Sequence, residues 1–199
     1  PRSTLFPYTT LFRSRTDTKR NVLILGRLEE VKGIEYAIRA LTEASMPANA
    51  VLHIVGDGPL RQSLEQSAAA HAVQDRVLFH GFRRNAYDYL AHADALLMPS
   101  MHEGLPYVLL EAMSLRVPAV VTAVGGLKEV LTNEVTGLLV APSDARAIAD
   151  ALGRLFETPA LREKLQNAAY ELVTTRFSAA AMGSKYLALY EGALVSAVR

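Results

Sequence analysis

Two carboxylates in the segment 101–113 (MHEGLPYVLLEAM) are spaced for binding an extended ligand. Glu103 precedes a Gly-Leu-Pro sequence, and Glu111 follows eight residues later on a predicted helix over 105–115. Proline suits a first helical position, because its missing N–H would have no partner there. At about 1.5 Å of rise per residue the two carboxylates lie about 12 Å apart. That separation is too long for a glycosidase pair acting on one bond, so we expect a ligand that is contacted at two places.

Each of the two carboxylates has a functional and an ordinary interpretation. Beside the helix that starts at Leu105, Glu103 would repel phosphate but accept hydrogen bonds from sugar hydroxyls. Its ordinary role would be a negative charge at a helix start, worth about 0.3–1 kcal/mol. Glu111 would accept two hydroxyl bonds from a ribose, or else be a surface residue of its helix. Its apolar neighbours Leu110 and Ala112 favour burial against a ligand.

Two cations follow the first predicted strand. Arg27 and Lys32 lie five residues apart, ahead of Gly33 and a predicted helix. A guanidinium and an ammonium near a helix N-terminus can bind phosphate without a metal ion. The alternative interpretation is a solvated charged loop, because Glu29 and Glu30 are adjacent.

The composition is that of a globular protein and argues against several functional classes. The chain has 199 residues, of which 50% are hydrophobic and 21% charged. Its net charge of +1 provides no basic field for nucleic acid or an anionic membrane. Without cysteine there is neither a disulfide scaffold nor thiolate chemistry, which fits a cytoplasmic location. No apolar run reaches the roughly 18 residues of a membrane span.

Residues 1–14 are predicted to be an artefact. The sequence LFPYTTLFRS (5–14) looks like one reading frame of a common DNA sequencing adapter. We therefore exclude residues 1–14 from the reasoning on fold; the alternative is a genuine disordered tail. On the first interpretation the reading frame is truncated, and sequence before Arg15 is missing.

From residue 21 onward, short apolar runs alternate with helical periodicity. The six predicted strands are 21–26, 50–56, 76–81, 94–100, 118–123 and 136–142. Predicted helices lie near 34–41, 60–68, 85–92, 105–115, 127–132, 148–155, 161–172 and 182–189. This alternation predicts an α/β fold: a Rossmann-like parallel sheet of about six strands, helices on both faces and a helical C-terminal tail.

The unusual residues follow the predicted strand ends. The five motifs are GRLEEVKG (26–33), GDGP (56–59), GF (81–82), SMHEG (100–104) and VGG (124–126). In open α/β sheets this edge binds ligands, although turns also need glycine. Five motifs on one edge favour a ligand site over turn chemistry alone.

No metal site is expected. The sequence has no P-loop, HExxH or Asp-x-Asp motif, and its five histidines lack metal-ligand spacing. His53 and His80 fall within predicted strands and are interpreted as packing residues. The GDGPLR sequence has only the first two glycines of a dinucleotide fingerprint, because Arg61 occupies the third position.

Together the motifs resemble a known family. In order they are GRL-x3-KG, G-x-GP, V-x-F-x-GF, S-x2-EGLP-x4-LEA, VGG-x2-E and TGLLV-x-P-x-D. The set resembles the C-terminal, donor-binding domain of the GT-B retaining glycosyltransferases called family 4, or glycosyltransferase group 1. The resemblance covers 21–199 and implies one half of a GT-B fold.

The resemblance also implies a domain organisation. A nucleotide-sugar-binding domain would span 15–177, and a C-terminal helix over 178–199 would pack on an N-terminal acceptor domain that this sequence lacks. Without that partner the helix would expose apolar side chains: Met182, Tyr186, Leu189 and Tyr190. Any peripheral membrane association is expected only through the missing domain, and the fragment alone is expected to be inactive.

The resemblance assigns roles in donor binding. Arg27 and Lys32 would hold the diphosphate of a UDP-, GDP- or ADP-sugar, and together with Glu103, which faces the donor sugar, they are the expected catalytic residues. Glu111 would bind the ribose. The remaining expected donor-binding residues are Gly56, Gly58, Phe82, Arg83, Gly104 and Leu105, with the backbone of Phe82 and Arg83 bordering the base. The implied reaction is transfer with retention, without a metal or cofactor.

Two other functions remain open at this stage. One is a nucleotide-sugar-binding module without catalysis, and the other is an epimerase of the same two-domain architecture. The intact set of Arg27, Lys32, Glu103 and Glu111 argues against a degenerate module. The retained glutamate pair favours the transferase over the epimerase.

Overall fold

A single parallel sheet organises the chain. The computed structural model describes residues 18–197, with side chains as far as Tyr190. The six strands are β1 (Arg20–Leu25), β2 (Ala50–Val55), β3 (Val77–Gly81), β4 (Ala95–Met98), β5 (Ala119–Thr122) and β6 (Leu138–Val140). Their order is β3-β2-β1-β4-β5-β6, and every neighbouring pair is parallel. This is the strand order of a Rossmann-type sheet, so the predicted fold class is confirmed.

Helices follow the strands as the periodicity predicts. They are α1 (Ile34–Ala40), α2 (Arg61–Ala70), α3 (Ala86–Ala91), α4 (Tyr107–Ser114), α5 (Leu127–Val130), α6 (Ala145–Glu157), α7 (Pro159–Arg176) and α8 (Ala179–Ala197). Predicted and observed boundaries agree within a few residues for the helices that flank the sheet.

Two hydrophobic cores lie on the two faces of the sheet. Successive residues of a strand point to opposite faces, so Val22 and Ile24 enter one core while Leu23 enters the other. The first core contains residues of α1, α2 and α6, and the second contains residues of α3, α4, α5 and α7. Because both faces are covered, the strands read as continuous apolar runs rather than as alternating ones.

Two boundaries differ from the predicted ones for local reasons. Pro106 is the N-cap of α4, with φ −78° and ψ 125°, so the helix begins one residue later than a first-position proline would give. Arg76 lies in a 3-10 turn before β3. Its guanidinium donates hydrogen bonds to the carbonyls of Leu41, Pro47 and Ala50, and burial lowers its pKa. Arg76 therefore ties the start of β3 to the loop before β2.

Helix α8 follows α7 and is largely exposed to solvent as far as Tyr190. Its large apolar side chains Met182, Tyr186, Leu187, Leu189 and Tyr190 are all more than half exposed. The predicted exposure of this helix is therefore observed. Its packing on an N-terminal domain stays a prediction.

Candidate functional site

The strand order places a crevice between β1 and β4. Chain connections diverge there, because β1 is followed by β2 on one side while β4 is followed by β5 on the other. Ligands of open α/β sheets bind at such a switch point, beyond the carboxyl ends of the strands. The loops after β1 and β4 meet at this point, where the Met101 N–H donates to the Val31 carbonyl at 2.8 Å.

Close backbone contact requires glycine in the loop after β1. Gly33 has a positive φ of 61°, and a Cβ on it would lie 2.1 Å from the Pro99 carbonyl oxygen. No other residue type fits this approach without a shift of the β4 loop. The Gly33 position thus brings the residues after β1 against those after β4.

An ion pair crosses the crevice. Lys32 Nζ lies 2.6 Å from Glu103 Oε1, and the two side chains are 29% and 9% exposed. The hydroxyl of Ser100 donates to the same carboxylate oxygen at 2.7 Å. Sequence reasoning assigned Lys32 and Glu103 to different parts of one ligand but did not foresee their direct contact. The positive charge of Lys32 offsets the repulsion that Glu103 would exert on a phosphate.

Arg27 has a different environment on the same loop. Its guanidinium lies 2.8 Å from Glu29 Oε1, and its side chain is 75% exposed. The solvated charged loop that was the alternative interpretation therefore describes the surroundings of Arg27 but not those of Lys32. An exposed pair of this kind is weak, so Arg27 can leave Glu29 for an anionic ligand at little cost.

Beside Arg27 a cavity of about 360 Å³ opens at the carboxyl edge of β1 and β2. It is lined by Leu25, Gly26, Arg27, Val55, Gly56, Asp57, Phe82, Arg83, Ala86, Val108 and Glu111. Five of the predicted donor-binding residues, Arg27, Gly56, Phe82, Arg83 and Glu111, thus come together from four loops or helices. Phe82 is 73% exposed, so its ring can stack on a ligand at the rim of the cavity.

The other predicted site residues lie outside this lining. Lys32 borders a smaller hollow that it shares with Arg27 and Ser100. A Cβ on Gly58 would lie 2.6 Å from the backbone of Leu28, so the observed contact of Gly58 is with the loop after β1. Gly104 and Leu105 are exposed between the ion pair and α4.

The VGG motif counts among the strand-end motifs that predict a ligand edge, but none of its residues was predicted to be a site residue. Gly125 has a positive φ of 46°, and a Cβ on it would lie 1.9 Å from the Glu103 carbonyl oxygen. The Gly126 N–H donates to that same carbonyl at 3.2 Å. The loop after β5 therefore supports the backbone of Glu103 directly. The signal that could have revealed this support is a glycine pair at a strand end beside the carboxylate loop.

A pair of histidines joins β2 and β3. The His53 and His80 rings stack with centroids 5.3 Å apart, and His53 Nδ1 lies 3.0 Å from His80 Nε2. Tyr89 of α3 meets His80 edge-on at 5.0 Å. Burial and, secondarily, the charge of Arg83 lower the pKa of His80. The packing role predicted for both histidines fits these contacts.

The described part of the chain offers neither a metal-binding cluster nor a membrane-spanning helix. Among the side chains of residues 18–190, no group of three or more histidine or acidic residues is arranged to hold a metal ion. Within residues 18–197, no helix combines the length and the apolar character that crossing a bilayer requires.

Comparison with known proteins agrees with the geometry. Residues 11–172 match the family described as Glycosyl transferases group 1. The chain is 38% identical over 170 residues to the lipopolysaccharide core biosynthesis glycosyltransferase LpsD of Rhizobium meliloti (strain 1021), a match that covers 85% of the chain and 49% of LpsD. It is 32% identical over 177 residues to the alpha-D-kanosaminyltransferase of Streptomyces kanamyceticus, covering 87% and 46%. The chain spans about half the length of these relatives.

Solved structures share the fold. Anabaena HepE, crystallised in complex with UDP, superposes with a TM-score of 0.82 at 23% identity, covering 87% of the chain and 49% of HepE. The C-terminal domain of the glycosyl transferase group 1 family protein LpcC from Francisella tularensis gives a TM-score of 0.74 at 25% identity, covering 80% and 87%. The chain thus corresponds in extent to a separately crystallised domain.

Proposed function

The chain belongs to the glycosyl transferases group 1 family, and we propose that it binds the nucleotide-sugar donor of a retaining, metal-independent glycosyltransferase. The observation that carries the proposal is the cavity at the β1 and β2 ends, where Arg27, Arg83 and Glu111 converge. Two cations beside the carboxylate of Glu111 suit a ligand that contains both a diphosphate and a ribose. The other carboxylate of the lining, Asp57, accepts a hydrogen bond from the Gly58 N–H. The binding of UDP by HepE, which has the same fold, supports this choice.

The proposed orientation of the donor follows the placement of the side chains. The base would lie against Phe82 and Arg83, and the ribose hydroxyls would donate to Glu111. The diphosphate would then approach Arg27 and the Lys32 side of the crevice, and the sugar would face Glu103. This path runs from the 360 Å³ cavity toward the ion pair. Gly56 borders the cavity, whereas Gly58, Gly104 and Leu105 are proposed donor contacts that lie outside its lining.

The proposed chemistry needs charge stabilisation more than proton transfer. As the bond between the sugar and the diphosphate breaks, negative charge grows on the leaving group and the sugar becomes oxocarbenium-like. Arg27 and Lys32 would stabilise the departing diphosphate electrostatically. The acceptor oxygen would enter on the face that the diphosphate leaves, which gives retention, and the proton of the acceptor hydroxyl would pass to the departing diphosphate. No cofactor takes part in this proposal.

Donor binding by the chain alone tests the proposal. A thermal-shift screen would compare UDP-, GDP- and ADP-sugars at millimolar concentration, each with and without EDTA. A ligand at 100 times its Kd stabilises the folded state by about 2.7 kcal/mol, and we expect one nucleotide class to raise Tm equally with and without the chelator. A Tm that no nucleotide sugar changes would contradict donor binding. A shift abolished by EDTA would contradict metal independence.

Catalysis is expected to require more than this chain. The acceptor would bind to the half of the enzyme that corresponds to the remaining length of the relatives, and the whole enzyme would act in the cytoplasm. We expect the purified 199-residue chain to bind donor without transferring sugar. Sugar transfer to any acceptor by this chain, measured with a radiolabelled donor, would refute that expectation.

A further inference from the structure

Glu103 receives two hydrogen bonds on one of its oxygens. Both Lys32 Nζ, at 2.6 Å, and Ser100 Oγ, at 2.7 Å, donate to Oε1. Among the described residues, no hydrogen bond to Oε2 is formed. The carboxylate is therefore held by one oxygen and keeps the lone pairs of the other for a ligand.

The two donors differ in how firmly they are placed. Ser100 is 2% exposed and lies directly beyond β4. The hydroxyl of Thr122, a fully buried residue of β5, donates to the Ser100 carbonyl and holds that strand end. Lys32, by contrast, has a flexible side chain that is 29% exposed. A lysine can turn toward a phosphate, whereas the serine hydroxyl has no comparable freedom.

This difference matters when a diphosphate enters the crevice. A phosphate that attracts Lys32 would remove one of the two donors from Glu103 Oε1. Ser100 would then be the remaining donor that keeps the carboxylate in place. The Glu103 carboxylate would also keep one hydrogen bond. It needs one because its side chain is only 9% exposed and an unpaired buried charge is costly.

We propose that Ser100 is a positioning residue, which holds Glu103 Oε1 so that Oε2 faces a hydroxyl of the donor sugar. The inference rests on the proposed function, because it takes the sugar to lie beside Glu103. It extends that function by predicting that Ser100 affects the sugar part of the donor but not the nucleotide part. Ser100 acts through Glu103 and need not touch the ligand.

Calorimetric titration of the full chain with UDP-glucose and with UDP tests the proposal; GDP-mannose and GDP serve if the chain binds guanine nucleotides. The Ser100→Ala variant removes the hydroxyl and little else. We expect it to weaken binding of the nucleotide sugar about 5- to 20-fold, as for loss of one charge-assisted hydrogen bond. Binding of the free nucleotide should stay within about twofold, since neither Ser100 nor Glu103 lines its cavity.

A double-mutant cycle separates positioning from a general structural role. With Glu103→Ala already present, Ser100→Ala should cause no further loss of nucleotide-sugar affinity, because the carboxylate that accepts its hydrogen bond is gone. The matched control is Ser63→Ala, at an exposed serine of α2 whose hydroxyl donates to the Leu60 carbonyl; it should change neither affinity.

The outcomes distinguish this inference from the function on which it rests. Equal weakening of nucleotide and nucleotide sugar by Ser100→Ala, or additive effects in the cycle, would overturn the positioning role while leaving donor binding established. Unchanged nucleotide-sugar affinity in Ser100→Ala would overturn it as well. If the parent chain binds none of the four probes and no ADP-sugar, the proposed function fails and this inference fails with it.

Discussion

Arg27 and Lys32 carry the same charge on one loop but have different environments. Arg27 is mostly exposed and pairs with Glu29, whereas Lys32 reaches across the crevice to the nearly buried Glu103. Exposed ion pairs contribute little to stability, because water screens both charges. A buried carboxylate that loses its cation costs far more. Replacing Lys32 should therefore lower the free energy of unfolding more than replacing Arg27 does, although both residues are proposed to bind the same diphosphate.

Replacing Arg27 should affect binding alone. We expect Arg27→Ala to weaken donor binding about 10- to 100-fold, as for loss of a charge-assisted contact of about 1.5–3 kcal/mol. The free energy of unfolding should change by no more than about 0.5 kcal/mol. Isothermal titration and urea denaturation measure the two quantities. Arg39→Ala, at an exposed arginine of α1, is the matched control and should change neither.

Replacing Lys32 should affect both binding and stability. Lys32→Ala leaves Glu103 with Ser100 as its remaining hydrogen-bond donor, so we expect a loss of about 1–3 kcal/mol in the free energy of unfolding beside a 10- to 100-fold weaker donor affinity. Nucleotide-sugar affinities unchanged in both Arg27→Ala and Lys32→Ala would refute the diphosphate assignment. A Lys32→Ala chain as stable as its parent would show that the ion pair contributes nothing to the fold.

The titration of His80 should make stability depend on pH. The pKa of His80 is lower in the folded protein, chiefly through burial, so below about pH 6.5 the unfolded chain binds the proton more readily. Stability is then complete above that pH and falls as the pH decreases, by at most about 1.4 kcal/mol per pH unit for one histidine. Urea denaturation from pH 7.5 to 5.5 should show this slope reduced in His80→Gln. The exposed His71→Gln should keep the full slope, and an unchanged slope in His80→Gln would contradict the prediction.

At the scale of elements, the site is built where backbones approach without side chains between them. The loop after β1 contacts the loop after β4 at Gly33, and the loop after β5 contacts the Glu103 backbone at Gly125. These contacts join three strand ends into one rigid edge. The carboxylate of Glu103 can be placed accurately only because the backbone beneath it is held from both sides.

A pair of glycine substitutions tests this support. Gly125→Ala meets both a positive φ and a carbonyl oxygen 1.9 Å from the new methyl carbon, so we expect a loss of at least about 1–2 kcal/mol in the free energy of unfolding. Gly104→Ala has nothing within 4 Å of the new methyl and should cost no more than about 0.5 kcal/mol. Chemical denaturation of both variants measures these losses. Equal stabilities of the two variants would mean that the loop after β5 shifts to accommodate the new methyl group without cost.

At the scale of the molecule, α8 is the element whose apolar surface is uncovered as far as Tyr190. Side chains such as Leu187 and Leu189 are 64% and 68% exposed, and contiguous apolar surface of this kind favours association. We expect the chain to bind a hydrophobic dye and to self-associate at high concentration. Leu189→Lys should reduce both effects without changing the unfolding free energy, whereas Thr175→Lys, at an exposed position of α7, should reduce neither. Light scattering that shows a monomer at every concentration would contradict this.

Local patterns were enough to predict the sheet and the edge that carries the site. Short apolar runs, three of which end in glycine, identify the strands, because a strand covered on both faces needs apolar residues throughout. The motif-bearing ends then share one edge because parallel strands all point the same way. The Arg76 tie and the start of α4 after Pro106 could not be foreseen, since each depends on contacts or capping geometry that spacing does not specify.

The fold class, the family and the set of candidate ligand-binding residues could all be predicted from the amino-acid sequence, because periodicity, strand-end glycines and charge spacing are local properties of the chain. Which residues of that set contact one another depends on the tertiary structure. Strand order, which no local pattern encodes, brings Lys32 of the β1 loop against Glu103 of the β4 loop. The same order places Gly125 against the Glu103 backbone, because the ends of β4 and β5 are neighbours in space though far apart along the chain. Ser100, by contrast, is only three residues from Glu103 on the same loop.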